Sequence, residues 1–190
     1  MTSNRLEAFT DGVIAILITI MVLEFKVPKE HTWAALQPMI PTALAYLLSF
    51  IVIGIYWNNH HNMLHAVKHV NGGALWANLA LLFWLSLVPF ATAWLGESNF
   101  DARPVMLYAI IQFCAGLSYY ILSRLLVRAN GPECPIAKAL EKDWKGKASL
   151  GLYGLAVAVA LPFPWVACGI FVAVAIMWFV PDRRFQAHMR

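Results

Sequence analysis

The sequence predicts an all-α, polytopic membrane protein with six transmembrane helices, and three observations predict it. Hydrophobic residues make up 61% of the 190 residues and charged residues only 13%, against the roughly 25% charged residues of a soluble domain. The apolar residues gather into long runs, and a spanning helix needs about 20 of them. Lys and Arg fall mostly on one side of those runs, the bias that sets the orientation of membrane proteins.

The first span runs from Leu6 to Phe25, the second from Trp33 to Asn58, the third from Ala74 to Leu95 and the fourth from Pro104 to Val127. The fifth (Ala148 to Leu161) and sixth (Trp165 to Val180) are joined by Pro162-Phe163-Pro164, a link with room only for a tight hairpin. Both are short for a span, which calls for little tilt or local bilayer thinning. Residues 1–190 read as one domain without an internal repeat. The first apolar run is too long for a signal peptide and is followed by more of the same.

With six spans both termini share a side. Arg5, Lys68, Arg124, Arg128, Lys138, Lys142, Lys145, Lys147, Arg183, Arg184 and Arg190 fall on that side, against Lys26, Lys29 and Arg103 on the other. The bias predicts cytoplasmic termini in an inner cell membrane. The basic loop NGPECPIAKALEKDWKGK is expected to be partly helical and to touch anionic headgroups. Trp33, Trp94, Trp144 and Trp165 stand near span ends, where indole rings anchor at the interface. Cys114, Cys134 and Cys168 are far apart and form neither a disulfide framework nor a CxxC pattern.

No link between spans is long enough to be a catalytic domain, so the function resides in or across the bilayer. An intramembrane enzyme is disfavoured: no HExxH string occurs, and no nucleophile and base share a depth with an oxyanion site. Nothing points to a cofactor, a nucleic acid or an organic substrate. Acidic residues are absent from the middle of every span, which argues against transport mechanisms that need a charged site at the midplane.

Ionisable residues within spans are functional candidates by default. The first helix carries Glu7 and Asp11 near its start, the second ends in YWNNHHNMLH, and the third begins near Asn78. Because the helices alternate in direction, Asp11, His60, His61 and Asn78 fall at one depth. A structural clamp of helices one to three, a proton-sensing element and a metal site are all compatible with that set. His60 and His61 point about 100° apart and chelate poorly together. His61 and His65 are one turn apart, but no third ligand is evident, so no metal site is assigned.

Beyond Asp11, Ile16, Thr19, Ile20 and Leu23 recur at offsets 0, 3, 4 and 7, one helical stripe that Gly12 continues. Asp11 lies about 140° from Ile16 around the helix, so the acidic residue and the stripe face different neighbours. Such a stripe suits helix packing, and it also suits a pore in which an apolar constriction gates by dewetting and hydroxyls favour one cation.

Three strings carry a resemblance. Arg5, Phe9, Thr10 and Asp11 form R-x-x-x-F-[ST]-D. YWNNHH closes the second helix, and NLALLFWLSLVPFATAWLGE runs through the third. Together, in the first hundred residues, they resemble the transmembrane protein 175 family of potassium channels in its bacterial single-repeat form. The family usually has Ser where this chain has Thr10, and the hydroxyl is kept. The resemblance implies a homotetramer around one pore lined by the first helix, without a carbonyl filter. It implies a constriction at Ile16, a hydroxyl layer at Thr19 and further apolar rings at Ile20 and Leu23. It places Arg5, Phe9, Thr10, Asp11, Trp57, His60, His61 and Asn78 in a packing network behind the pore helix, with Arg5 also close to the stripe's side.

The expected function is therefore passive, potassium-preferring cation conduction, with K+ as the permeant ion and the lipid bilayer and further copies of the chain as partners. Two alternatives stand beside it: a proton-conducting or proton-coupled pathway through Asp11 and His60/His61, and a non-conducting membrane scaffold.

Overall fold

The computed structural model describes residues 3–141 and 143–179, with side chains at all of these except 138, 139 and 141. Lys142, Val180, Arg183, Arg184 and Arg190, which entered the predicted spans and charge bias, lie outside the described residues. The regular secondary structure of the described residues is all helical: α1 (Ser3–Ile20), α2 (Ile40–His65), α3 (Gly72–Ser86), α4 (Val88–Glu97), α5 (Ala102–Asn130), α6 (Pro135–Glu141), α7 (Trp144–Val159) and α8 (Pro164–Phe179).

The ends of these helices follow from local chemistry. α1 tightens into a 3-10 turn at Met21–Glu24 and the chain leaves the helix before Pro28. A second 3-10 segment, Trp33–Met39, leads into α2, whose second residue is Pro41. There a proline lacks an N–H that would have had no partner anyway. The α2 helix then runs to His65, well past the predicted end at Asn58. The predicted third span is two helices: α3 and α4 meet at Leu87, whose N–H bonds three residues back to Trp84. Pro89 causes the break, since it donates no hydrogen bond and its ring crowds the carbonyl four residues earlier. Asn71, Asp101 and Asp143 cap α3, α5 and α7 by accepting from the first-turn N–H groups of Ala74, Ala102 and Gly146. Gly131, at φ 87°, closes α5 in the left-handed region that favours glycine. The basic loop contains α6, which bears out its partly helical reading.

Among the described residues, four helical stretches are long and apolar enough to cross a membrane: Ser3–Glu24, Trp33–His65, Gly72–Glu97 and Ala102–Asn130. They overlap the first four predicted spans and exceed each of them. Helices α7 and α8 have 16 residues each, about 24 Å at 1.5 Å per residue, which is shorter than the roughly 30 Å hydrocarbon layer.

Packing centres on α5. It lies against α3, α4, α7 and α8, while α2 lies along α4 and α1 lies against α2 and α3. Tyr108, Ile111, Ala115, Leu122 and Leu126 of α5 are buried. So is a row of polar groups: the Ser49 hydroxyl lies 2.7 Å from that of Thr92 and 3.1 Å from that of Tyr108. These bonds join α2, α4 and α5 where an unpartnered hydroxyl would be costly. Gly96 allows α4 to approach α2, for a Cβ at that position would lie 2.5 Å from the Cα of Thr42.

Two further ties hold the ends of the bundle. The Asn130 side chain accepts from the N–H groups of Lys68 and His69 and donates to the carbonyls of His69 and Leu126. It thus fastens the α2–α3 link to the end of α5. At the opposite end Lys26 Nζ meets Glu97 Oε1 at 2.6 Å. That hydrogen bond, with the Glu97 charge behind it, raises the Lys26 ammonium above its ordinary value of 10.5. Both groups are exposed, so the pair contributes little to stability. Trp33, Trp94, Trp144 and Trp165 are all exposed, as interfacial anchors are.

Candidate functional site

Helix α1 divides into two faces. Leu6, Thr10, Ile14, Leu17 and, in the following turn, Met21 are buried. They recur every three or four residues and form the face that meets α2 and α3. The opposite face is left uncovered. Ile16 is 59% exposed, Ile20 39% and Leu23 77%, and Thr19, Gly12, Arg5 and Phe9 are exposed with them.

The Thr19 hydroxyl lies 3.0 Å from the carbonyl oxygens of both Ala15 and Ile16. It donates its single proton into its own helix, as threonines do in helices. Its lone pairs then remain free to accept from, or ligate, whatever lies beside the exposed face.

On the buried side the predicted network is present in part. The Asn78 amide donates to Thr10 Oγ1 at 2.9 Å. The Asn78 carbonyl oxygen, which can only accept, takes a hydrogen bond from His60 Nε2 at 2.8 Å. Thr10, His60 and Asn78 are all buried, so one asparagine joins α1, α2 and α3. The contact fixes the His60 tautomer with its proton on Nε2, and the buried Nδ1 has no hydrogen-bond partner among the described residues. Nearer the surface, Trp57 donates its indole N–H to Asp11 Oδ1 at 3.0 Å. Of the residues predicted to share a depth, His60 and Asn78 bond each other, whereas Asp11 bonds Trp57.

His61 is hydrogen-bonded to neither pair. Its Nδ1 lies 2.6 Å from Glu7 Oε1, and His65 Nε2 lies 3.3 Å from the same oxygen. Trp57 stacks on the His61 ring, with centroids 5.8 Å apart. Glu7 is visible in the sequence as an ionisable residue of the first helix. Its partnership with the two histidines is not, because it depends on how α1 is rotated against the last turn of α2. Arg5 and Phe9 stand apart from the network on the exposed face of α1. The reason is angular: both lie within about 40° of Ile16 at 100° per residue.

The fold and this site define an all-helical, multi-pass membrane protein whose first helix is clamped along one face and bare along the other. Residues 5–89 match the family model described as endosomal/lysosomal potassium channel TMEM175. A potassium channel of Chryseobacterium sp. (strain P1-3) is 47% identical over 190 residues, spanning 100% of this chain and 99% of that one. The human endosomal/lysosomal proton channel TMEM175 is 36% identical over 96 residues, 44% of this chain but only 19% of that protein. Among solved structures, the crystal structure of a lysosomal potassium-selective channel TMEM175 homolog from Chamaesiphon minutus superposes with a TM-score of 0.80. It is 30% identical, and the match covers 94% of this chain and 96% of that one. The chain belongs to the TMEM175 family, whose members are ion channels and not enzymes.

Proposed function

We propose that this chain is a potassium-preferring cation channel: a homotetramer in which residues 1–190 form one six-helix channel domain and α1 lines a central pore. In this reading α7 and α8 also cross the bilayer, and both termini face the cytoplasm of an inner membrane. One observation carries the proposal. The stripe of Ile16, Thr19, Ile20 and Leu23 is the face of α1 that the rest of the chain leaves uncovered. Rows facing lipid are uncovered as well. This one carries a hydroxyl whose proton is already committed to the backbone, so that its lone pairs can replace water around a cation; the exposed Ser86 of α3 bonds in the same way, and it is the family resemblance that assigns the pore to α1. The Chryseobacterium and Chamaesiphon relatives, both named for potassium, agree with it.

Ions would shed part of their hydration at Ile16 and meet the Thr19 layer one turn on. A single ring of hydroxyls is a weaker field than stacked carbonyls, so preference for potassium over sodium is modest. Reconstituted protein is expected to pass K+ down its gradient in liposomes without other components. Thr19→Val, which keeps the shape and removes the lone pairs, is expected to lower the K+/Na+ permeability ratio several-fold, whereas Thr19→Ser retains it. An unchanged ratio in Thr19→Val removes the hydroxyl layer from selectivity, and absence of flux in the unaltered protein favours the scaffold reading.

A proton pathway through Asp11 and His60/His61 is the second reading. It is favoured by the titratable groups gathered at this end of α1 and α2 and by the human relative's name. It predicts that Asp11→Asn abolishes pH-driven flux. The channel reading predicts that the same change leaves K+ flux in place, since Asp11 faces Trp57 and not the stripe.

A further inference from the structure

Glu7, His61 and His65 bring three ligand atoms of the right chemistry within 4.8 Å of one another. The geometry points to a binding site for a first-row divalent cation, with zinc as the best fit, that bridges the first turns of α1 to the last turn of α2. Two imidazoles one helical turn apart are the donor arrangement that lets a helix chelate a metal. Tetrahedral zinc with bonds of 2.0–2.1 Å sets its ligand atoms roughly 3.3 Å apart. Glu7 Oε1 and His65 Nε2 already stand at 3.3 Å. Glu7 Oε1 and His61 Nδ1 stand at 2.6 Å, the length of a hydrogen bond that holds a proton where the metal would go. Replacing that proton requires an opening of about 0.7 Å, the difference between that length and the zinc-bound spacing, within reach of a glutamate side chain.

The surroundings support a ligand. One oxygen of a half-buried carboxylate faces both rings, so a carboxylate oxygen and two imidazole nitrogens converge on one point. Trp57 stacks on His61 and fixes its plane. Glu7 and His65 also line an open cleft with Ser3, Asn4 and Lys68, which gives a cation a route in and leaves room for a water as fourth ligand. Lys68 is exposed, and its flexible stem allows the ammonium to turn to solvent. Two nitrogens and one oxygen suit zinc, and disfavour Mg2+ and Ca2+, which take oxygen ligands. His60, one residue away, takes no part: it points about 100° around the helix from His61, toward Asn78.

The test is a zinc titration of the purified full chain in detergent after chelator treatment, with Mg2+ as the comparison ion. The expected result is one zinc per chain with an affinity on the order of micromolar or tighter and no comparable Mg2+ binding. His61→Ala, His65→Ala and Glu7→Gln are each expected to weaken zinc binding by ~10-fold or more, since each removes a direct ligand and even outer-shell changes reach that size. His69→Ala, outside the cluster, is expected to leave it unchanged. Should an alanine variant fail to fold, the near-isosteric Glu7→Gln and X-ray absorption of the zinc-loaded unaltered protein decide the matter. That spectrum is expected to show two imidazoles in the zinc shell. Zinc binding that survives all three substitutions, falls equally in His69→Ala, or shows no imidazole pair overturns the assignment. The readout involves no ion flux, so it stands or falls apart from the channel reading.

Discussion

Ile16→Asn is expected to raise K+ flux through reconstituted protein by ~10-fold or more, which corresponds to roughly 1.4 kcal/mol off the conduction barrier. An isoleucine ring at a narrow point excludes water, and an ion must give up hydration to pass. Asparagine is of similar size and offers an amide oxygen in place of two apolar branches, so the constriction would wet without a large change in width. Folding is expected to be nearly indifferent, because Ile16 is 59% exposed and substitutions at uncovered positions usually stay within about 0.5 kcal/mol. That separation makes the experiment informative: flux should change while yield and thermal stability do not. The same change at Phe83, an uncovered residue of α3, is expected to leave flux unaltered. Flux in Ile16→Asn equal to that of the unaltered protein would place the pore along another surface.

Asn78→Ala is expected to give the largest loss of stability among changes at the α1–α2–α3 contact, roughly 2 kcal/mol. The asparagine satisfies Thr10 on one side and His60 on the other, and all three are buried. Removing it strands two polar groups, each at about 1–3 kcal/mol by soluble-protein experience. Hydrogen bonds between membrane helices measure lower, averaging about 0.6 kcal/mol, because the partly unfolded chain also finds partners in the bilayer. The expected figure lies between those limits. A lowered midpoint of thermal unfolding in detergent is the readout. Asn78→Leu in combination with Thr10→Val and His60→Phe, which removes all the polar groups together, is expected to recover part of the loss. If Asn78→Ala unfolds at the same temperature as the unaltered protein, the network does not hold α1 in place.

Much of this site is legible in the amino-acid sequence. The 3.6-residue period separates the Ile16, Thr19, Ile20 and Leu23 stripe from Asp11, and the alternation of helix direction puts Asp11, His60, His61 and Asn78 at one depth. Both inferences rest on properties of single helices or of their order along the chain. The features that escape such reading share a cause. Trp57 rather than a histidine partners Asp11, and Glu7 completes a cluster with His61 and His65. Asn130 clamps the α2–α3 link. The hydroxyls of Ser49, Thr92 and Tyr108 meet inside the bundle. Each depends on the rotation and axial shift of one helix against another, which a period read within one helix does not contain. Phe9 and Arg5 belong with these: motif membership groups them with Asp11, while their angular positions send them to the bare face.

Sequence alone establishes that the protein lives in a membrane, that it is helical, where the long helices apolar enough to cross it lie, and which residues of the first helix share a face. Composition, run length and period are local quantities, and the cost of exposing backbone polar groups to lipid leaves helices as the way to satisfy them. Tertiary packing settles which of those faces is buried and which is bare, and which polar side chains are partners. Those outcomes turn on contacts between helices, where a rotation of one residue, about 100°, exchanges a clamp for an open surface.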